Sequence, residues 1–141
     1  MNENVKIFEN LTKQQVVDNN PLNLAFIGDA FWTLIVREFF CENTHFKNNN
    51  LHKLTTKFVK AVYQAKAIDV LQEYLTEEEK DISRRARNTK MNTISKNASL
   101  AEYKKATSFE AVIGYNYLLG NIKRIKEFFK ILSKDFLGGR K

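Results

Sequence analysis

Residues 22–36 read LNLAFIGDAFWTLIV, an apolar segment that contains a single acidic residue, Asp29. The segment is long enough for about four helical turns and is apolar on almost every side, which is typical of a helix inside a core. An isolated carboxylate there costs roughly several kcal/mol unless it is paired, hydrogen-bonded or bound to a metal. Gly28 lies beside it, although glycine costs a helix about 1 kcal/mol relative to alanine. An acid and a glycine that both weaken a core helix indicate a functional site.

Residues 106–115, ATSFEAVIGY, have the same build, with Glu110 as the acid and Gly114 one turn later. Thr107, Glu110 and Gly114 share one helix face, because residues three and four apart are neighbours on a helix. Small residues let two helix backbones approach closely, so we expect the two helices to cross near Gly28 and Gly114. Both carboxylates would then point into one cleft. Oxygen ligands of this kind suit a hard divalent cation such as Mg²⁺ or Mn²⁺.

The composition describes one globular domain of 141 residues, 43% of them hydrophobic, with a core expected over about residues 20–134. Cys41 is the one cysteine, which excludes an internal disulfide and fits a reducing, cytoplasmic location. No N-terminal signal sequence is evident, and Asp29 and Arg37 interrupt the longest apolar run, which argues against a membrane span. The net charge of +7 favours a polyanionic partner, RNA or DNA.

Helical patterns and capping signals along the chain predict an all-α fold. The helix starts are marked by Asn20 with Pro21, Thr76 with Glu79 and Ser99 with Glu102, and one helix end is marked by Gly120. The expected elements are a turn around residues 5–11 packed on the core, helices over about 21–40, 51–75, 77–88, 99–119 and 122–132, and polar loops at 43–50 and 88–97.

The helix that follows Thr76 ends in a strongly basic turn. The expected phosphate contacts in that turn and in the following loop are Arg84, Arg85, Arg87, Asn88, Lys90 and Lys96. The helix dipole partly explains cations at a helix C-terminus, but three arginines in four positions exceed what capping requires. A second basic stripe, Lys53, Lys57 and Lys60, fits a solvated helix face and a phosphate contact equally well. His52 has no second histidine or cysteine at ligand spacing, which favours a loop or cap position over a metal site.

Several of these segments together resemble the catalytic domain of ribonuclease III, and most closely its short branch, Mini-ribonuclease III. The similar segments are LAFIGDA at 24–30, the LH helix start at 51–52, RRARN at 84–88, KNA at 96–98, TSFEA at 107–111 and FEAVIG at 109–114. They span residues 20–120 in the expected order, which makes the resemblance specific.

The resemblance implies a metal-dependent endoribonuclease that acts on double-stranded RNA as a homodimer. Asp29 and Glu110 fall on the family's catalytic acids, which are its Mg²⁺ ligands. Ala25 and Thr107 stand where the longer ribonuclease III pattern has a Glu and an Asp; the short branch shares both losses, and the number of metals stays open. The resemblance also implies a precursor of 23S ribosomal RNA as substrate, a ribosomal protein that could shape it, and no double-stranded-RNA-binding domain.

Two alternatives stay open at this point. A non-catalytic helical RNA-binding or ribosome-assembly module could share the fold, although both acids are retained. Thr107 could orient Glu110 or a metal-bound water, or it could bond to its own helix backbone.

The 22–36 segment also indicates a dimer interface, because it is apolar on more faces than a small core needs. The expected contacts with a symmetry mate are Phe26, Phe31, Trp32 and Ile35, since these side chains cannot all point inward together with Leu24, Ile27 and Leu34. Cutting both strands of a duplex in one encounter requires two sites. A C₂ dimer, the commonest soluble oligomer, would match the local two-fold symmetry of the RNA backbone.

Overall fold

The two helices that carry the acid and glycine pairs lie against each other at the centre of the fold. The computed structural model describes residues 7–43, 48–89 and 99–138. Within these ranges the elements are α1 (Lys13–Val17), α2 (Pro21–Asn43), α3 (Asn48–Val59), α4 (Ala61–Leu71), a 3₁₀ turn (Gln72–Tyr74), α5 (Glu77–Asn88), α6 (Leu100–Leu118) and α7 (Ile122–Gly138). The predicted all-α fold is confirmed, and no helix in the described ranges is long and apolar enough to cross a membrane.

Helix α6 forms the centre of the core, and α2, α4 and α5 pack around it. Its residues from 106 to 116 are buried except for Glu110, which is partly exposed. Trp32 of α2 meets Phe109 of α6 edge to face, with the ring centroids 4.9 Å apart. The surroundings of Glu110 are therefore mostly apolar, which makes an unpaired charge expensive there.

The helix boundaries follow the capping signals of the sequence. The Thr76 and Ser99 side chains each accept a hydrogen bond from the backbone N–H three residues on, and Glu79 and Glu102 complete the two capping boxes. Asn20 accepts from the backbone N–H of Leu22 at 2.9 Å. Gly120, with φ of +78°, follows the end of α6 in the left-handed conformation that glycine adopts most readily. These predicted boundaries are confirmed because each depends only on near neighbours in the chain.

The helix expected over residues 51–75 is instead two helices with a break at Lys60. Lys60 is extended (ψ of 154°), and its carbonyl accepts the hydrogen bond from Gln64 that opens α4. The carbonyl of Phe58, near the end of α3, accepts a 2.8 Å hydrogen bond from the indole nitrogen of Trp32. A buried indole N–H needs an acceptor, and the break provides one.

The expected orientation of α2 is wrong at two positions. Trp32, predicted at the dimer interface, is fully buried, whereas Leu34, predicted to point inward, is 58% exposed. The buried stripe of α2 follows the spacing of four residues that places side chains on one helix face, namely Leu24, Gly28, Trp32, Val36 and Phe40. Phe26, Ala30 and Leu34 follow the same spacing on an exposed face.

The N-terminal segment contains a helix that the sequence interpretation missed. Helix α1 begins after Thr12, whose side chain forms a capping box with Gln15. The turn expected around residues 5–11 is not packed as predicted, because Ile7 and Phe8 are 91% and 80% exposed. Leu11 does pack against the core, and Val5 lies outside the described residues.

Candidate active site at the helix crossing

Helices α2 and α6 touch backbone to backbone where they cross. A Cβ atom added to Gly28 would lie 1.7 Å from the carbonyl oxygen of Glu110, and one added to Gly114 would lie 1.9 Å from the carbonyl oxygen of Leu24. Both obstacles are backbone atoms that cannot turn aside, so neither position accommodates a larger residue without displacing a helix. The predicted crossing at Gly28 and Gly114 is confirmed.

The crossing brings the Asp29 and Glu110 side chains within hydrogen-bonding reach of each other. Asp29 follows Gly28 in the chain, and the backbone of Glu110 lies directly against Gly28. Asp29 is exposed while Glu110 is partly buried. The two carboxyl groups therefore form a pair that solvent reaches from the Asp29 side.

The electrostatics of this pair favour a bound proton or a bound cation. Burial raises the pKa of Glu110 to about 9, and both the hydrogen bond to Asp29 and the negative charge of Asp29 act in the same direction. Adjacent carboxylates resist ionising together. At neutral pH Glu110 therefore keeps its proton unless a cation replaces it.

The donor set fits one hard divalent cation. Two carboxylates match Mg²⁺, which is usually held by one or two acidic side chains while water and phosphate oxygens fill its other positions. No group of three or more His, Cys, Asp or Glu side chains suited to a metal occurs in the described part of the chain. Ala25 contributes no ligand atom, and the Thr107 hydroxyl donates to the backbone carbonyl of Tyr103 at 2.9 Å. Of the two roles considered for Thr107 from the sequence, this bond matches the second, a hydrogen bond to its own helix backbone.

Gln64 is a polar residue at this site that the sequence interpretation missed. It lies on α4, is 2% exposed, and its side-chain nitrogen Nε2 has no hydrogen-bond partner among the described residues. Its side chain faces the carboxyl group of Glu110 and lowers that group's pKa, against the effect of burial. A signal was available, because Gln64 falls four residues before the core residue Ile68, at a position where the helical pattern expects an apolar side chain.

The basic residues of α5 differ in how far they reach solvent. Arg84 is exposed and pairs with Asp81 on the same helix, and Asn88 is also exposed. Arg87 is partly buried, and Arg85 has one guanidinium nitrogen, Nη1, that is buried without a partner. Lys90 and Lys96 lie outside the described residues.

Apolar residues of α2 and α7 form a surface groove with a volume of about 310 Å³. Phe31 and Ile35, two of the predicted dimer contacts, line it together with Ile125 and Phe129. Phe26, a third predicted contact, is 78% exposed. The structure therefore leaves three of the four predicted dimer residues at the surface or in this groove.

Comparison with known proteins identifies the family that this chain matches. The Ribonuclease III domain matches residues 22–121, a range that contains both acids and both glycines of the crossing. Mini-ribonuclease 3 of Clostridium tetani is 46% identical over 125 residues, covering 88% of this chain and 83% of that protein. Mini-ribonuclease 3 of a Thermoanaerobacter species is 45% identical over 123 residues, covering 87% of both chains.

A solved structure agrees with these matches. The crystal structure of a Fusobacterium nucleatum protein superposes with a TM-score of 0.80 at 35% identity, covering 86% of this chain and 97% of that one. This all-α domain therefore has the ribonuclease III fold. The chain belongs to the ribonuclease III family of endoribonucleases, and within it to the Mini-ribonuclease 3 branch that the resemblance indicated.

Proposed function

We propose that this chain is a Mg²⁺-dependent endoribonuclease that cuts double-stranded RNA, with Mn²⁺ able to replace Mg²⁺. The observation that carries the proposal is the contact between the carboxyl groups of Asp29 and Glu110 at the helix crossing. Membership of a family of endoribonucleases supports the same reaction. A non-catalytic module would have no need for an acid that its surroundings make expensive to ionise.

In the proposed phosphodiester hydrolysis, the two acids and the two glycines of the crossing have different roles. Asp29 and Glu110 would hold the cation, and Glu110 must release its proton to solvent for both oxygens to be available. When bound, the ion supplies charge neutralisation at the phosphate and activation of the attacking water. The crossing at Gly28 and Gly114 fixes the two helix backbones relative to each other, so both carboxylates keep their separation during the reaction.

The basic end of α5 is the proposed contact for the RNA backbone. Arg84, Arg87 and Asn88 reach solvent at least in part, whereas the Nη1 nitrogen of Arg85 is buried and faces away from solvent. An A-form duplex has a major groove too narrow for side chains, so recognition would depend on shape and phosphates. Affinity would therefore fall steeply with salt.

The proposed active unit is a homodimer with one site per protomer. The exposed face of α2 that carries Phe26 and Leu34, together with the adjacent groove at Phe31 and Ile35, supplies apolar surface that solvent reaches. Two sites across one minor groove would cut both strands and leave short 3′ overhangs. The proposed substrate in the cell is a precursor of 23S ribosomal RNA in the cytoplasm, with a ribosomal protein as an assisting partner.

Cleavage of a long duplex RNA with and without Mg²⁺ tests the activity. We expect discrete shorter duplexes with Mg²⁺ or Mn²⁺ and intact RNA with EDTA, while a single-stranded RNA of the same composition stays uncut. An RNA that is bound but intact under every metal condition would instead support the non-catalytic module.

Light scattering combined with size-exclusion chromatography tests the dimer. Phe26→Glu places a charge on the exposed face of α2, so we expect it to give a monomer. Ile7→Glu is the matched control, because Ile7 is also exposed but lies outside α2. A wild-type chain that is monomeric while cutting both strands together would contradict the dimer.

A further inference from the structure

The side chain of Gln64 is buried, and its amide nitrogen makes no hydrogen bond with the described residues. Gln64 is 2% exposed, and no group within residues 7–43, 48–89 and 99–138 accepts a hydrogen bond from Nε2. A buried donor left unpaired costs about 1–3 kcal/mol, whereas an apolar side chain of the same shape avoids that cost. The amide nitrogen of Gln64 therefore gives the core no hydrogen bond that a methionine would lose.

The position of Gln64 relative to the acidic pair explains why a donor could be useful there. Helix α4 packs against α6, and the Gln64 side chain faces the carboxyl group of Glu110. An amide N–H interacts more favourably with a carboxylate than with a neutral carboxylic acid. The Nε2–H of Gln64 is therefore a donor placed beside the Glu110 side chain, where a carboxylate that holds a cation would accept from it.

We propose that Gln64 is a positioning residue for Glu110, donating its Nε2–H to the carboxylate and thereby fixing the direction of the oxygen that binds the cation. Gln64 itself touches neither the cation nor the RNA. The inference rests on the proposed function, because it requires a divalent cation between Asp29 and Glu110. It adds a residue from a third helix to a site otherwise built from α2 and α6.

Mn²⁺ binding to the RNA-free protein, measured by electron paramagnetic resonance, tests this role apart from catalysis. Gln64→Met keeps the length of the side chain and removes the donor. We expect its Mn²⁺ dissociation constant to rise roughly 10- to 100-fold, the usual effect of losing a hydrogen bond to a metal ligand. The melting temperature should stay the same or rise, because the unpaired donor is gone. The KM for duplex RNA should not change.

The control is Ser83→Ala, which removes another buried and unpartnered polar atom, the Ser83 hydroxyl on α5. It should leave Mn²⁺ affinity and cleavage unchanged. Gln64→Leu provides a second donor-free variant. The proposal is overturned if a folded Gln64→Met or Gln64→Leu protein binds Mn²⁺ within about twofold of wild type, well below the usual effect. It is also overturned if both variants melt far below wild type, because Gln64 would then be structural.

These outcomes separate the two proposals. A wild-type protein that binds Mn²⁺ but leaves duplex RNA intact refutes the proposed function, and the role of Gln64 is still decided by Mn²⁺ affinity. A wild-type protein that cuts duplex RNA, with unchanged Mn²⁺ affinity in Gln64→Met, refutes only the role of Gln64.

Discussion

Two glutamates of the core, Glu79 and Glu110, have opposite surroundings. Glu79 is 2% exposed, and its carboxylate accepts hydrogen bonds from Arg124 at 2.8 and 3.0 Å, from Asn116 at 2.9 Å and from the backbone N–H of Thr76 at 2.9 Å. Burial alone would raise the pKa of Glu79, but these hydrogen bonds and the charge of Arg124 hold it below its usual value.

Within the described part of the chain, Glu110 has no basic side chain as a partner. Its near neighbours are a second acid, Asp29, which raises its pKa, and the amide of Gln64, which lowers it. Burial and Asp29 together raise the pKa of Glu110 to about 9. The contrast shows that burial alone does not decide the direction in which the pKa of an acid is shifted. Arg124 supplies a cation to Glu79 within the fold and ties α5 to α7, whereas the side chains that act on Glu110 are a second acid and an amide.

The largest expected effect is on the rate of cleavage and comes from removing a charge from the pair formed by Asp29 and Glu110. Glu110→Gln and Asp29→Asn should each lower the rate of duplex RNA cleavage by roughly a thousandfold or more, because the cation's several kcal/mol of transition-state stabilisation are lost. Circular dichroism should show an intact fold. Glu102→Gln is the control on the same helix, since glutamine also completes a capping box. Cleavage within about tenfold of wild type would remove the mutated residue from the site.

The next largest effect is on stability and concerns Glu79, the acid whose carboxylate has hydrogen-bond partners. Arg124→Met should lower the free energy of unfolding by about 3–5 kcal/mol, because it leaves Glu79 buried without a cation. Urea denaturation measures this loss, and cleavage per folded molecule should be unchanged. Glu79→Met combined with Arg124→Met should recover much of the stability, since apolar replacement of a buried ion pair is often neutral. A loss below about 1 kcal/mol in Arg124→Met would place this pair with weak surface pairs.

The part of the fold that the sequence predicts well is the part controlled by local chemistry. The caps at Thr76 and Ser99 involve residues three apart, and the crossing could be predicted because Gly28 and Gly114 each weaken their own helix. In both cases the physical reason lies within one or two turns of chain.

The errors concern contacts between distant residues. The break at Lys60 depends on the indole of Trp32, which bonds to Phe58 from 26 residues away. The 22–36 segment is apolar on all sides, so no polar stripe indicates that Trp32 faces the core and Leu34 faces solvent. Gln64 belongs to the site only because α4 packs against α6, which helical periodicity cannot show.

The two glutamates should also give stability opposite dependences on pH in the metal-free protein. Glu110 has a raised pKa when folded, so the folded state binds more protons than the unfolded state above about pH 4.5, and stability falls as the pH rises toward 9. The slope is at most about 1.4 kcal/mol per pH unit and is reduced by the partial exposure of the carboxyl group. Glu79 has a lowered pKa, so its contribution is lost as the pH falls below about 4.5.

Thermal or urea unfolding across this pH range, with EDTA present, checks both signs. Glu110→Gln should flatten the alkaline side and leave the acid side unchanged. Glu79→Gln should flatten the acid side alone. A Glu110→Gln protein with the same alkaline slope as wild type would show that another group causes it.

The smallest effect belongs to a third acid, Asp81, which differs from both glutamates because it lies at the surface. Its side chain is 46% exposed and pairs with Arg84, which is 57% exposed. Asp81→Asn should change the free energy of unfolding by less than about 1 kcal/mol, since exposed ion pairs contribute little.

If the basic end of α5 contacts RNA, the same variant should bind duplex RNA more tightly at low salt, because Arg84 is released and the surface gains one positive charge. Arg84→Ala should bind less tightly and lower the salt slope by about one. Glu78→Gln, at the opposite end of α5, is the control and should leave RNA affinity near wild type. Unchanged affinity in both Asp81→Asn and Arg84→Ala would mean that Arg84 only pairs with its own helix.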